Sequence, residues 1–280
     1  NAGNFLREAI DSILNQTVSD FELILINDGS TDNSEATILA YSDPRIVYIR
    51  NEKNMGLIAS LNRGLETARG KYIARMDNDD ISDLTRFEKQ LALIGQHPDV
   101  SVVCSPIIGI TPGGKLRDHW PSDFNNRSSK QIAATLPKEN CISHPTIFAR
   151  AEVMKKYRYA AEQKGSEDWD LWLRLVRDGH RILKTPEVLL QYRIHQGSIT
   201  GLYNRKLSPQ LKSIGVKYRF FTASLRAGRF NWFVLKTLLY SAKDFFYYCR
   251  KEFLPDLLRQ VKWLFTVSPG KAARQYGRLI

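Results

Sequence analysis

Phe21-Glu22-Leu23-Ile24-Leu25-Ile26-Asn27-Asp28-Gly29-Ser30 is a short, nearly unbroken apolar run that stops at a group of turn-forming residues. Its length suits a strand rather than a helix, and its lack of alternation predicts a strand buried on both faces, as in a parallel sheet. Upstream, Phe5, Leu6, Ala9, Ile10, Ile13 and Leu14 recur at helical spacing and predict a helix over about 4–16. Downstream, Thr31 or Asp32 can cap a helix reaching about Tyr41. Strands over 46–49, 72–76 and 100–105 then alternate with helices over 57–68 and 84–95. This alternation predicts an α/β fold, a mostly parallel central sheet with helices on both faces. In such sheets ligands bind beyond the carboxyl ends of the strands.

Two acidic turns fall at those ends: Asn27-Asp28-Gly29-Ser30 and Asp77-Asn78-Asp79-Asp80. Three carboxylates within four residues repel one another unless a cation or solvent neutralises them. Hard divalent cations prefer such oxygens, and Mg2+ commonly combines one or two carboxylates with substrate phosphates. Asp77-x-Asp79 therefore suits a metal-diphosphate site, and equally a solvated acidic turn. Asp28 reads either as a ligand-binding carboxylate or as a turn former bonding a backbone N–H. An EF-hand is excluded, because Ser82 stands where its Gly is required and no Glu closes the loop.

Ser166 to Leu175 opens an amphipathic helix with Trp169, Trp172, Leu173 and Val176 on its apolar stripe. Asp168 sits in its first turn, where the helix dipole favours a carboxylate; it is a helix-end charge or a general base aimed at the strand ends. His144 and His195 lie in polar segments beyond the acidic turns, whereas His97 and His180 read as surface residues. Phosphate-loop, dinucleotide-binding, nucleophile-elbow and HExxH signatures are absent.

The 280 residues carry a formal net charge of +12, unevenly spread. Residues 201–280 hold sixteen Lys/Arg against three Asp/Glu, and sixteen of the thirty aromatics. Residues 1–200 are close to neutral, so the chain divides into a body over 1–200 and a basic, aromatic, mainly helical tail over 201–280. Segments such as 230–240 and 245–258 have the composition of helices lying on a membrane surface, with Trp232, Trp263 and Phe245 to Tyr248 inserting. The same composition also suits a helical subdomain packed on the body. Three widely spaced cysteines exclude a disulfide framework and favour a reducing compartment. No stretch is long and apolar enough for a membrane span.

Taken in order, Phe5–Thr17 (FLREAIDSILNQT), Phe21–Ser34 (FELILINDGSTDNS), Asn54-x-Gly56 with 62–68, Gly70–Asp80 (GKYIARMDNDD), Glu167–Arg174 (EDWDLWLR) and Tyr192–Ser198 resemble the family 2 glycosyltransferases of bacterial surface-polysaccharide type. These are inverting enzymes with the GT-A fold, and the resemblance covers roughly residues 1–200. It implies that Asp28 bonds the uracil-type base of a nucleotide-sugar and that Asp77 contacts the nucleotide's sugar. It further implies that Asp79 binds Mg2+ or Mn2+, that Asp168 is the catalytic base, that His195 approaches the diphosphate or metal, and that His144 shapes the acceptor side. Relatives begin with a central strand and a Pro-x-Tyr-Asn-like turn, of which Asn1 matches the last residue. The natural protein is thus expected to carry about ten further N-terminal residues.

The resulting expectation is an enzyme moving a hexose or N-acetylhexosamine, from a UDP-sugar in the first instance, to a saccharide or lipid-linked saccharide, forming a β-glycosidic bond. It is expected to be cytoplasmic, with attachment to the anionic inner face of a membrane through 201–280. The alternatives are a nucleotidyltransferase acting on sugar phosphates and a basic nucleic-acid-binding protein, the latter disfavoured because no recognised module accompanies the basic residues.

Overall fold

A computed structural model describes residues 1–117, 121–198, 208–255 and 257. After a 3-10 turn at Gly3–Phe5, the chain forms α1 (Leu6–Leu14), β1 (Leu23–Asn27), α2 (Ser34–Leu39), β2 (Ile46–Arg50), α3 (Leu57–Thr67) and β3 (Tyr72–Ala74). There follow β4 (Ile81–Ser82), α4 (Arg86–Gln96), β5 (Val100–Cys104), β6 (Ile107–Ile110), α5 (Pro121–Asn125) and α6 (Ser129–Thr135). The body closes with β7 (Phe148–Arg150), α7 (Ala151–Tyr157), α8 (Glu167–Arg177), β8 (Arg181–Lys184) and β9 (Leu190–Arg193). Two tail helices complete the described chain, α9 (Pro209–Arg226) and α10 (Trp232–Tyr248), the latter running into a π turn at Cys249–Phe253. The predicted helices and strands of the body are all present, with ends shifted by a few residues.

The sheet is mixed rather than mostly parallel. Strands β1 and β2 pair in parallel, as do β5 and β8, but β7 runs antiparallel to both β3 and β5. The reversal follows from the long excursion between β6 and β7, which returns the chain from the opposite end of the sheet. A small sheet ordered β4-β9-β6 stands beside the carboxylate-bearing turn.

Alternation on β5 and β7 separates the two faces. Val103 and Phe148 meet Ile13 of α1 and Phe87 and Ile94 of α4 on one side. Val102, Cys104 and Ala149 meet Ile58 and Leu65 of α3, Met154 of α7 and Leu171 to Leu173 of α8 on the other. Helix α8 buries Leu171, Trp172, Leu173 and Leu175, while the expected stripe members Trp169 and Val176 are only partly covered. Trp169 turns to donate its indole N–H to the Leu136 carbonyl at 2.9 Å.

Two expectations change. His180 is not a plain surface residue: its Nδ1 lies 2.7 Å from Ser101 Oγ and its ring packs edge-on against Tyr157. The apolar strand β1 is only half-buried, because among the described residues it pairs with β2 alone; β3 likewise pairs, among them, only with β7. The unpaired edges of β1 and β3 border the same cleft. Trp263 lies outside the described residues.

Candidate active site

Strand β1 ends where Asn27 Oδ1 accepts the Ser30 N–H at 2.8 Å and folds the chain into a turn. Gly29 sits there at φ +68°, and a Cβ would come within 2.8 Å of the Asn54 nitrogen, so a side chain is excluded twice over. This close approach sets Asp28 against the loop between β2 and α3. Its carboxylate accepts from Asn51 Nδ2 (2.7 Å), the Met55 N–H (2.8 Å) and the Gly56 N–H (2.8 Å). Burial opposes its charge, but these bonds outweigh burial and hold the Asp28 carboxyl below its ordinary value.

Beyond β3, Asp77 forms a bidentate pair with Arg75, two residues back. Carboxylate oxygens of Asp77, Asp79 and Asp80 lie within 4.8 Å of one another. Burial pushes the Asp77 carboxyl up, Arg75 pulls it down, and the nearby Asp79 and Asp168 carboxylates add to the rise. Asp79 Oδ2 lies 2.8 Å from His195 Nε2. Asp80 is fully buried, its Oδ1 accepts the Arg193 N–H at 2.9 Å, and its Oδ2 has no partner among the described residues. Burial, with Asp77 and Asp79 close by, raises Asp80 to about 9. A buried carboxylate oxygen without a partner, beside two more carboxylates, is a donor set that fits a hard divalent cation.

Arg193 fastens this turn to the rest of the fold. Buried at the end of β9, it donates to the Asp79 carbonyl (2.8 Å), the Pro112 carbonyl (2.8 Å) and Glu8 Oε2 (2.5 Å). It thereby sets His195, two residues on, against Asp79.

Asp168 stands in the first turn of α8, as expected, and accepts from Asn140 Nδ2 at 2.8 Å. Burial raises its pKa, while the Trp169 N–H, Asn140 and the Arg75 charge work against the rise. His144 is buried on the cleft wall, its Nε2 2.8 Å from the Tyr159 hydroxyl and its ring edge-on to Trp172. Burial, with Arg75 near, keeps the imidazole well below its ordinary value and hence neutral.

Asp28, Asp77, Asp79, Asp168, His144 and His195 all line one cleft of about 1860 Å³. Sequence reasoning counted Asp80 in the acidic cluster without giving it a role, and missed Asn140, Tyr159 and Arg75. Only Arg75 left a signal, since a residue two before Asp77 on an extended chain shares its side.

An α/β sheet flanked by helices, with carboxylates gathered beyond its strand ends, is the GT-A architecture. Residues 1–158 match the family described as "Glycosyl transferase family 2". The chain is 36% identical over 195 residues to the O-antigen biosynthesis glycosyltransferase WbnJ of Escherichia coli, covering 68% of this chain and 74% of that one. It is 34% identical over 194 residues to an uncharacterized glycosyltransferase of Methanocaldococcus jannaschii, covering 68% and 66% respectively. Among solved structures it resembles S. aureus TarS 1-349 in complex with UDP-GlcNAc, with a TM-score of 0.65, 18% identity, and coverage of 79% of this chain and 63% of that one. It also resembles the mannosyltransferase PcManGT of Pyrobaculum calidifontis in complex with GDP-Man and Mn2+, with a TM-score of 0.60, 15% identity, and coverage of 96% and 78%. The chain belongs to glycosyl transferase family 2, and it spans about two thirds to three quarters of the length of these sequence relatives.

Proposed function

We propose that this protein is a glycosyltransferase that moves a hexose or N-acetylhexosamine from a nucleotide-sugar, a UDP-sugar in the first instance, to a saccharide or lipid-linked saccharide. The observation that carries this reading is Asp168: a partly buried carboxylate of raised pKa facing the same cleft as Asp28, Asp77 and Asp79. An acceptor hydroxyl is a poor nucleophile, so Asp168 takes its proton as the oxygen attacks the anomeric carbon. Displacement in one step inverts that carbon, and one base suffices, unlike the carboxylate pair of a glycosidase. An α-linked donor then gives a β-glycoside.

Asp28 receives the nucleotide base and Asp77, held by Arg75, the nucleotide's sugar portion. Asp79, oriented by His195, would hold the cation with Asp77 and Asp80 beside it. Bound there, Mg2+ or Mn2+ would act as a Lewis acid on the departing diphosphate. His144 and Tyr159 shape the acceptor side. The UDP-GlcNAc held by one structural neighbour and the GDP-Man and Mn2+ held by the other support a nucleotide-sugar and a divalent ion of this kind.

The catalytic unit on this reading is residues 1–200, with 201–280 as an appendage. A lipid-linked acceptor would put the reaction at the cytoplasmic face of a membrane, in surface-polysaccharide assembly. The decisive variant is Asp168→Asn. It is expected to keep UDP-sugar and Mn2+ binding by calorimetry while transfer, followed by UDP release with acceptor present, falls by at least about a hundredfold; transfer at the wild-type rate removes Asp168 from the base position.

A further inference from the structure

Helix α10 has two unlike faces. Val234, Thr237 and Ser241 are buried, and Ser241 Oγ reaches the Ile214 carbonyl of α9. On the opposite side Trp232, Leu239, Phe246 and Phe253 follow one another at intervals of seven residues and are 69%, 55%, 71% and 50% exposed. Lys236, Lys243 and Arg250 stand between them, each four residues after one apolar member and three before the next; Lys243 and Arg250 are exposed, while Lys236 turns its ammonium to the Ala134 carbonyl of α6 at 3.2 Å. Steps of three and four keep the five members within α10, Trp232 to Phe246, on one side of the helix, and Arg250 and Phe253 continue the series in the π turn. Leu254 and Leu257 extend the apolar series past the π turn and are also exposed. Among the described residues neither Lys243 nor Arg250 enters an ion pair.

We propose that this stripe is a docking surface for an anionic lipid bilayer, on which α10 and the π turn lie parallel to the membrane plane. Four large apolar side chains in line are costly to leave in water. Alternating them with long basic side chains lets the methylene stems follow the apolar groups down while the charged ends remain among lipid phosphates. The described chain has no helix long and apolar enough to cross a membrane, so the contact is interfacial. A second copy of the chain fits the stripe poorly. A two-fold contact would set Lys243, near its middle, against its own copy, with Lys236 and Arg250 also opposite basic residues. A phosphate surface supplies the complementary charge instead. The opposite face of α10 packs on α9, and Phe220 of α9 and Val234 of α10 enter the main core of the body. Docking therefore holds the catalytic body against the bilayer instead of tethering it loosely.

The inference is independent of the donor reading, because vesicle binding is measured without nucleotide or metal. The full chain is sedimented with phosphatidylcholine vesicles, alone or mixed with phosphatidylglycerol. It is expected to pellet only with the mixed vesicles and to be released near 1 M salt, where the screening length falls to about 3 Å. Lys243→Glu/Arg250→Glu and Leu239→Ser/Phe246→Ser should each weaken partitioning at least about tenfold. The thermal midpoint, unchanged in both variants, serves as the folding control. Bromolipid quenching of tryptophan emission should diminish in Trp232→Phe. Failure of the wild type to pellet, or pelleting unaltered in both double variants, overturns the proposal. So does a dimer in sedimentation velocity that Leu239→Ser/Phe246→Ser dissolves while vesicles remain unbound.

Discussion

Asn140 occupies an unremarked place in the sequence, yet in the fold its amide is the neutral side-chain donor to the Asp168 carboxylate. That bond stabilises the charged form against burial, which raises the Asp168 pKa. Asn140→Ala removes a donor from the charged form, so the pKa climbs further. A general base works only when deprotonated, and its rate falls as pH drops through its pKa. The acid limb of the transfer rate is therefore expected to move to higher pH, with UDP and Mn2+ affinity retained; an unmoved limb in a rate-against-pH profile would detach Asn140 from the base. The sequence made Asp28, Asp77, Asp79 and Asp168 legible because each follows an apolar run or opens an amphipathic helix. It was silent on Asn140 and Tyr159, because their partners lie 28 and 15 residues away and meet them only through the tertiary fold.

Among the elements, α9 and α10 show how a basic, aromatic composition resolves into packing on one side and exposure on the other. Lys217 is fully buried and donates to the Lys138 carbonyl at 2.7 Å and to Asp244 Oδ2 at 2.6 Å. Ser213 also donates to Asp244, at 2.6 Å. Burial lowers the Lys217 pKa and Asp244 works against that fall, so the pair joins α9, α10 and the loop after α6 through a desolvated charge. Removing one partner of such a pair strands the other. Asp244→Asn is expected to cost roughly 2–4 kcal/mol in urea unfolding. The double variant Lys217→Met/Asp244→Leu, which leaves neither charge unpaired, should recover most of that loss; equal destabilisation of single and double variants would refute the account. Composition revealed the tail but not its division into faces. Leu, Phe and Trp occur all around α10, and which of them are covered depends on where α9 lies.

At the scale of the whole molecule, the sheet has a gap that no single element discloses. β1 carries Leu23, Ile24, Leu25 and Ile26, a composition suited to a strand covered on both sides, yet all four are only half-buried. Its edge away from β2 and the free edge of β3 flank the same cleft, and backbone N–H and C=O groups along two unpaired edges favour pairing with an intervening strand. Asn1 lies at the Ser30 end of that gap: its amino group donates to Ser30 Oγ at 3.1 Å and its Oδ1 accepts the Thr31 N–H at 2.7 Å. A strand placed ahead of Asn1 would run parallel to β1 and finish beside Asp28. A variant extended by about ten residues, an apolar strand followed by a turn, would pair both edges and bury the half-exposed side chains of β1. Covering the parts of all four side chains that are still exposed contributes roughly 1–3 kcal/mol. In a chain of this size that raises the thermal midpoint by about 2–10 °C. Because the strand's last residues would stand beside Asp28, UDP affinity is expected to rise with it. Calorimetry of the two chains with and without UDP tests both effects. Equal midpoints together with equal UDP affinity would mean that the gap between β1 and β3 belongs to the finished sheet.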